Sequence, residues 1–179
     1  MEVYNNYPTV FMSGLGGWGE DQLQNKIMPY WGKGKNNVLE DLRGLGYECP
    51  VVSVTCASEV LSPKIQETVD AAALKEAALA GEFGKCIVEG PISLDLSVNK
   101  ESAAHKHYDS PAAGEADILL VPNITAGNMF VKGLLEFAGA KMAGLVVGAK
   151  CPIALNSRSA TDEEKYAALM AAAGMIPEE

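Results

Sequence analysis

The sequence contains few arginines and an excess of negative charge. Of its 179 residues, only Arg43 and Arg158 are arginines, and 23 acidic residues outweigh 14 basic ones to give a net charge of −9. Proteins that bind nucleic acid or anionic membranes carry basic patches, because phosphate groups are their targets. The composition therefore predicts no nucleic-acid and no membrane partner. A small anionic ligand is still compatible with it, because one local arginine outweighs a diffuse field.

Long apolar runs are also missing. No stretch approaches the roughly 18 residues that a membrane span requires. The first ten residues, MEVYNNYPTV, show no basic region followed by an apolar one, as a secretory signal would. We therefore expect a cytoplasmic protein.

Metal-binding and disulfide patterns are absent as well. No two cysteines form a C-x-x-C pair, and His105 and His107 are two residues apart, so they do not share a helix face. We expect reduced thiols, solvated histidines and no metal site. The cysteines are Cys49, Cys56, Cys86 and Cys151.

Residues 110–164 show the pattern around which the chain is organised. Three apolar runs, 117–121, 143–149 and 152–155, are typical of buried strands. Between the first two, residues 129–138 have the apolar spacing of a helix face, after a loop that reads PNITAGN. This alternation predicts an α/β fold with a mostly parallel sheet and helices on both faces.

Ser157 and Arg158 follow the last of these predicted strands. Thr161 and Glu164 have the spacing of a capping box, which predicts that the next helix starts at Thr161. Ligands of open α/β sheets bind beyond the carboxyl ends of strands, and a helix N-terminus favours anions. The guanidinium of Arg158 supplies a planar fork of donors that suits phosphate.

Residues 49–109 continue the alternation. CPVVSVTC predicts a strand, and an alanine-rich helix follows that begins at Ser62-Pro63 or near Glu67 and stops at Gly81. KCIVEGPISLDLSV predicts a strand that runs into a loop, with Gly90-Pro91 as the break, and NKESAAHKH predicts a short helix.

The glycine-rich segment at Gly14–Gly19 matches G-x-G-x-x-G after a short predicted strand, TVFM. A dinucleotide fingerprint requires an immediate helix and an acid about 20 residues further on. Pro29, Gly32 and Gly34 interrupt the segment where that helix would lie. A tight turn at the strand exit is therefore the favoured interpretation.

Residues 1–49 resemble the N-terminus of bacterial lipases whose first strand ends in an oxyanion loop. The matching stretches are YPTVFMSGLGGWGEDQLQNKIMPYWG and NNVLEDLRGLGYEC. Ser13 stands where that family has histidine, and no G-x-S-x-G elbow occurs anywhere in the sequence. The resemblance implies a strand–turn–helix fragment and not a working hydrolase, since acyl hydrolysis needs the activated serine.

Residues 50–179 resemble the C-terminal part of the phosphate acyltransferases, closest to phosphate butyryltransferase. The matching stretches include CIVEGPISLDLSV, SPAAGEADILLVPNITAGN and KMAGLVVGAKCPIALNSR. The resemblance implies an isocitrate-dehydrogenase-like fold, acyl transfer between coenzyme A and inorganic phosphate, no permanently bound cofactor, and a possible homo-oligomer. It also implies an active site in a cleft between two domains.

Carried over by residue, the family's Ser-Arg pair falls on Ser157 and Arg158 as catalytic residues. The substrate-binding loop falls on Asn123, Gly127 and Asn128, with Asn123 in place of the family's usual acid. The acid that the acetyl-specific branch uses beyond the pair aligns with Glu164, which is better explained as the acid of the capping box than as a base. The sequence therefore does not identify which residue is the general base.

Three hypotheses follow for the function. The first is a phosphate butyryltransferase-like acyltransferase, impaired because the family's N-terminal half has no counterpart in this sequence. The second is an α/β-hydrolase relative without its serine, and the third is a non-catalytic hybrid of the two segments, 1–49 and 50–179.

Overall fold

The computed structural model describes residues 9–11, 43, 46–146 and 151–174. The predicted glycine-rich turn at 14–19 lies outside these residues, as does the rest of the predicted fragment 1–49 apart from residues 9–11, 43 and 46–49. The described chain falls into two compact units. The first holds Thr9–Phe11 and Cys49–Met129, and the second holds Arg43, residues 46–48 and the described residues from Phe130 onwards.

The helices and strands alternate along most of the chain. In chain order they are β1 Thr9–Phe11, β2 Val51–Thr55, α1 Gln66–Leu79, β3 Ile87–Ile92, α2 Leu94–Val98, α3 Lys100–His105, β4 Ile118–Leu120, α4 Ile124–Ala138, β5 Leu145–Val146, β6 Ile153–Ala154 and α5 Asp162–Gly174.

The first unit contains a parallel sheet in the order β1-β4-β2-β3. Val52 on β2 lies opposite Ile118 on β4 and opposite Val88 on β3, so β2 is an inner strand. On the outer side of β4, Thr9 pairs with Ile118. The prediction of an α/β fold with a parallel sheet is therefore confirmed, and β1 belongs to the same sheet as β2.

Two apolar clusters hold this unit together. On one side of the sheet, Val54 and Cys56 pack against Ala71 of α1, which is fully buried. The second cluster joins Ile92 at the end of β3 to Leu96 and to Ala103 on the two short helices that follow. Burial raises the pKa of the Cys56 thiol to about 11, so this cysteine behaves as an apolar core residue.

Helix α1 starts at Gln66, near the later of the two predicted starts. Thr68 explains this position, because its buried hydroxyl donates to the backbone oxygen of Ile65 at 2.8 Å and accepts from the N–H of Ser62 at 3.0 Å. The predicted cap at Ser62-Pro63 is therefore wrong. At the other end, Gly81 adopts a left-handed φ of 81°, as the predicted stop requires.

Strand β3 passes through Gly90-Pro91, where a break was predicted. The peptide between these residues is cis, and the strand continues to Ile92. Within the described sheet β3 is an edge strand, which is where proline is tolerated because no neighbouring strand needs its missing N–H.

Helix α4 starts at Ile124 and not at Met129. Residues 124–128 read as a loop in the sequence, because Thr, Gly and Asn are poor helix formers. The side chain of Asn123 offsets this composition by capping the helix, with its Oδ1 3.0 Å from the N–H of Ala126.

The second unit does not extend the parallel sheet. Strands β5 and β6 form an antiparallel pair in which Leu145 lies opposite Ala154. Val146 and Ile153 are both more than one-third exposed, so the predicted buried strands at 143–149 and 152–155 are wrong in burial and in direction. Residues 147–150 lie outside the described chain. Helix α5 packs against β6. None of the described helices is long and apolar enough to cross a bilayer.

Candidate active site

The loop after β4 carries the first group of predicted site residues. Asn123 follows the carboxyl end of β4, is exposed, and caps α4 through its Oδ1, while its backbone oxygen accepts from Gly127 N–H at 3.1 Å. Gly127 is buried in the first turns of α4, and the neighbouring Asn128 is exposed. The structure thus brings these three residues together at one helix N-terminus in the first unit.

A polar cluster that the sequence did not reveal lies beyond β2 and β3. The hydroxyl of Ser93 contacts a carboxylate oxygen of Glu59 and lies 2.6 Å from Oδ1 of Asp95. Lys106 Nζ lies 3.3 Å from Glu59 and 3.0 Å from Asp95. These four residues come from the loop after β2, the start of α2 and the end of α3. No short-range sequence signal connects them.

The charges in this cluster reinforce one another. The hydrogen bond from Ser93 is the main reason that the pKa values of Glu59 and Asp95 lie below their usual range. Its partner Asp95 raises the pKa of Lys106 in turn. Carboxylates with lowered pKa values are weak proton acceptors near neutral pH. These contacts therefore hold the loop after β2 to the ends of α2 and α3, and neither carboxylate is suited to act as a general base.

Glu89 is a buried carboxylate in the middle of β3. It accepts hydrogen bonds from Lys75 Nζ at 2.6 Å, from the Ser110 hydroxyl at 2.7 Å and from its neighbour's N–H, that of Gly90, at 3.0 Å. Burial opposes the charge, but the bonds from Lys75 and Ser110 and the Lys75 charge hold the pKa of Glu89 below its usual range. Burial and the adjacent Glu89 charge raise the pKa of Tyr108. The sequence signal that could have revealed this site is a glutamate within the otherwise apolar strand β3, IVEGPI.

Ser157 and Arg158 lie in the second unit, in the turn between β6 and α5. The turn is closed by a hydrogen bond of 3.1 Å from the N–H of Ala160 to the backbone oxygen of Ser157. The hydroxyls of Ser157 and Ser159 are 3.1 Å apart. Arg158 is exposed, and its side chain has no ion-pair partner among the described residues. Its guanidinium is therefore accessible to an anion.

The capping box predicted for α5 is present. Thr161 N–H donates to Oε2 of Glu164 at 2.8 Å, and Glu164 N–H donates to the Thr161 hydroxyl at 3.3 Å. A further donor, the N–H of Met142, lies 3.2 Å from the other carboxylate oxygen. The bonds from the backbone of Thr161 and Met142 hold the pKa of Glu164 below its usual range. This carboxylate is therefore occupied as an acceptor.

The first turn of α5 also carries two exposed carboxylates, both paired with lysine. Asp162 lies 3.0 Å from Lys165, and Glu163 lies 3.0 Å from Lys141. Acids in the first turn stabilise a helix, but they also weaken its attraction for an external anion. Their lysine partners offset this charge. Arg158, which has no ion-pair partner among the described residues, adds a further positive charge just before the helix.

Comparison with known proteins defines the family. The family model for phosphate acetyl/butaryl transferase matches residues 36–173 of the chain. The chain belongs to the phosphate acetyl/butyryl transferase family. The match starts within residues 1–49, so residues 36–49 are family residues, and the predicted lipase-like fragment receives no support from the comparisons. The hybrid interpretation loses its basis with it.

Two curated relatives show the extent of the similarity. Phosphate butyryltransferase of Clostridium acetobutylicum is 38% identical over 138 residues, which are 77% of this chain and 46% of the relative. The probable phosphate butyryltransferase of Bacillus subtilis is 43% identical over 129 residues, 72% of this chain and 43% of the relative. The chain thus spans about half the length of the transferases it matches.

A solved structure supports the α/β fold of this transferase-family chain. The branched-chain phosphotransacylase of Enterococcus faecalis V583 aligns with a TM-score of 0.69 at 38% identity, covering 76% of this chain and 49% of the other. Family membership therefore rests on sequence and on structure together. The roles of Ser157, Arg158, Asn123, Gly127 and Asn128, and the division at residues 49 and 50, stay predictions.

Proposed function

We propose that the chain takes part in acyl transfer between an acyl-CoA and inorganic phosphate, as in phosphate butyryltransferases. The observation that carries the proposal is the family match over residues 36–173, which includes the Ser157–Arg158 turn at the N-terminus of α5. The butyryl preference, the isocitrate-dehydrogenase-like fold and a homo-oligomer belong to the same proposal. So do the cytoplasmic location and the absence of a permanently bound cofactor.

The reaction assigns a distinct task to each side chain. A phosphate oxygen attacks the thioester carbonyl, a C–O bond forms, the C–S bond breaks, and the coenzyme A thiolate leaves and takes up a proton. Arg158 binds the phosphate by charge-assisted hydrogen bonds. Ser157 donates a hydrogen bond from its hydroxyl to phosphate or to the oxyanion that develops on the carbonyl. In the reverse direction the same groups bind acyl phosphate.

The geometry around Arg158 supports phosphate binding. Its side chain is exposed, and it precedes a helix of 13 residues whose first backbone N–H groups point out of the helix end. A helix N-terminus carries about half a positive charge, which favours an anion beside the guanidinium. Arg158 thus acts together with the backbone and not alone.

Asn123, Gly127 and Asn128 are assigned to substrate binding in this proposal. The Asn123 Oδ1 is used by the helix cap, so its side-chain N–H₂ group is the part that a substrate would contact. The exposed amide of Asn128 supplies a second set of donors. Gly127 is buried, so the part of it that a substrate would contact is its backbone.

The chain matches only about half the length of its curated relatives, and this lowers the turnover expected of it. Catalysis requires that the acyl carbonyl, the thiol and the phosphate be held together in a reactive geometry. The curated relatives contain about twice the length of sequence that this chain matches. We therefore expect the chain alone to bind phosphate or coenzyme A and to form little butyryl phosphate.

Calorimetric titration with phosphate and with coenzyme A tests the proposal. A charge-assisted hydrogen bond contributes about 1.5–3 kcal/mol, so Arg158→Gln should weaken phosphate binding by roughly ten- to a hundredfold. Lys132→Gln is the matched control, because it removes one positive charge from an exposed position on α4. Equal affinities in the Arg158 variant and the wild type would remove Arg158 from the site.

Turnover is measured separately, with butyryl-CoA and phosphate as substrates. Binding with little product is the expected result for the chain alone. Family-like turnover would show that the described units suffice or that a second chain completes the site. Absence of binding to either ligand would refute the proposed function.

A further inference from the structure

Glu164 connects two separate loops of the second unit. Its carboxylate accepts from the N–H of Thr161 at 2.8 Å and from the Thr161 hydroxyl at 3.2 Å, both at Oε2. Oε1 accepts from the N–H of Met142 at 3.2 Å. The capping box alone would explain only the contacts with Thr161. The bond to Met142 reaches a residue that lies between α4 and β5, 22 positions earlier in the chain.

A second bond joins the same two loops. Leu155 N–H donates to the backbone oxygen of Gly144 at 2.9 Å. Gly144 has no room for a side chain, because a Cβ there would overlap the backbone oxygen of Leu155. The segment that carries Ser157 and Arg158 is therefore attached to the segment around residue 142 at both of its ends, before the turn at Leu155 and after it at Thr161.

Few other contacts hold this turn. Ser157 and Ala160 are bonded to each other within it, and Arg158 and Ser159 are exposed. Asn156 is partly exposed, and its Oδ1 atom is buried without a hydrogen-bond partner. The position of the turn therefore depends on these two attachments, together with the exposed ion pair between Lys141 and Glu163 and the packing of α5 against β6. Among the described residues, Glu164 is the side chain that accepts hydrogen bonds from both loops.

We propose that Glu164 is a positioning residue that holds the Ser157–Arg158 turn against the Met142 loop. The inference rests on the proposed function of Arg158. Proton transfer is the other role that a carboxylate at this place can have, and the experiment below separates the two. Both oxygens of Glu164 are occupied by donors of the chain, and its side chain is buried beneath the helix start.

Glutamine at position 164 separates the two roles. Glu164→Gln keeps one carbonyl acceptor of the same length, whereas Glu164→Ala removes both acceptors. For a positioning residue, phosphate binding weakens by at least about fivefold in Glu164→Ala and recovers most of its strength in Glu164→Gln, staying below the ten- to hundredfold loss of Arg158→Gln. For a general base, both variants bind phosphate normally, and the small turnover expected of the chain falls below detection in both.

Amide hydrogen exchange of residues 155–161 provides a readout that does not depend on phosphate binding. We expect faster exchange in Glu164→Ala and near wild-type exchange in Glu164→Gln, with unchanged exchange in residues 168–172 of α5 as the control for folding of the second unit. Thr161→Ser, which keeps the cap, should resemble the wild type. If Glu164→Ala fails to fold, Glu164→Asp replaces it. This variant keeps a carboxylate but is one methylene too short to reach both loops, so phosphate binding should weaken and exchange of residues 155–161 should increase, and wild-type values for both would refute the positioning role.

The outcomes distinguish the inference from the proposed function. If the wild type binds phosphate and Glu164→Ala changes neither exchange nor affinity, the positioning role is refuted while the function stands. If exchange increases but the wild type binds no phosphate, the proposed function is refuted and only the attachment of the turn is upheld. A kcat loss in Glu164→Gln at normal exchange and affinity would assign Glu164 to proton transfer instead.

Discussion

Glu89 on β3 and Lys75 on α1 form an ion pair with an N–O distance of 2.6 Å. The carboxylate is buried, with 7% of its side chain exposed, while 39% of the lysine side chain is exposed. The pair connects the described edge strand of the sheet to the helix that covers it. Ser110 joins the same carboxylate, so the loop before β4 is held at this point as well.

Glu89→Gln should destabilise the first unit. The change weakens the bond from Lys75 and leaves buried donors poorly matched, which costs about 1–3 kcal/mol of unfolding free energy. Urea unfolding at pH 7 measures the loss. Glu76→Gln, at an exposed position on the same helix, is the control and should stay within about 0.5 kcal/mol of the wild type. Equal midpoints for the two variants would contradict a stabilising role.

The contribution of Glu89 should depend on pH. Because the pKa of Glu89 is lower in the folded state than its usual value of about 4.3, its stabilisation is complete above that value. It is lost as the pH falls through the folded-state pKa, since both states are then protonated. We expect the stability difference between the wild type and Glu89→Gln to be constant from pH 6 to 8 and to narrow below about pH 4. A stability difference that widens as the pH falls would show that the pKa of Glu89 is raised, and not lowered, in the folded state.

The cap of α5 predicts a graded response at Thr161. Thr161→Ala removes the hydroxyl that accepts from Glu164 N–H, and loss of such a cap costs about 1 kcal/mol. Thr161→Ser retains the hydroxyl and should lose much less. Thermal unfolding followed by circular dichroism compares the two variants, and equal transition temperatures would show that the cap does not stabilise the helix.

Two glycine-to-alanine changes should have opposite effects. A Cβ at Gly90 would lie 2.8 Å from Val54 Cβ and 3.1 Å from Ala71 Cβ, where helix α1 packs on the sheet. Gly90→Ala should therefore destabilise by about 1–3 kcal/mol. A Cβ at Gly133 would meet only Phe137, at 4.0 Å, so Gly133→Ala should stabilise α4 by up to about 1 kcal/mol. The denaturant midpoint of each variant, compared with that of the wild type, tests whether Gly90→Ala destabilises and Gly133→Ala stabilises the protein.

We expect no ester hydrolysis. The sequence contains no G-x-S-x-G elbow, so no serine is placed at a strand-to-helix turn for activation. Turnover of a short-chain p-nitrophenyl ester measures this activity. A rate above background that a single Ser→Ala change abolishes would show that a serine nucleophile exists in another setting.

The local elements were largely predictable from the sequence. Short-range patterns define β2, β4 and the short helix α3, and the spacing of Thr161 and Glu164 defines the start of α5. These features depend on residues close in sequence, which meet as soon as the element forms. The family assignment of residues from Pro50 onward was also readable, because long matching stretches carry more information than any single motif.

Other features were misread because a local pattern has more than one tertiary outcome. An apolar run of four to seven residues fits a buried parallel strand and an exposed antiparallel one equally well. Strands β5 and β6 took the second form. Composition argued for a loop at residues 124–128, but the helix includes them, and its start is capped by the hydrogen bond that Ala126 N–H donates to the Asn123 side chain.

Sequence alone determined the alternation of strands and helices, the capping box and the presence of an arginine at a helix start. Only the tertiary structure decided which distant groups meet. The bond between Glu164 and Met142 spans 22 residues, and the contact of Ser93 with Glu59 spans 34. Such pairs depend on how the strands align and the loops pack, and no periodicity within a short window encodes that arrangement. The sequence thus identified Arg158 as a candidate, while the folded chain showed what holds its turn in place.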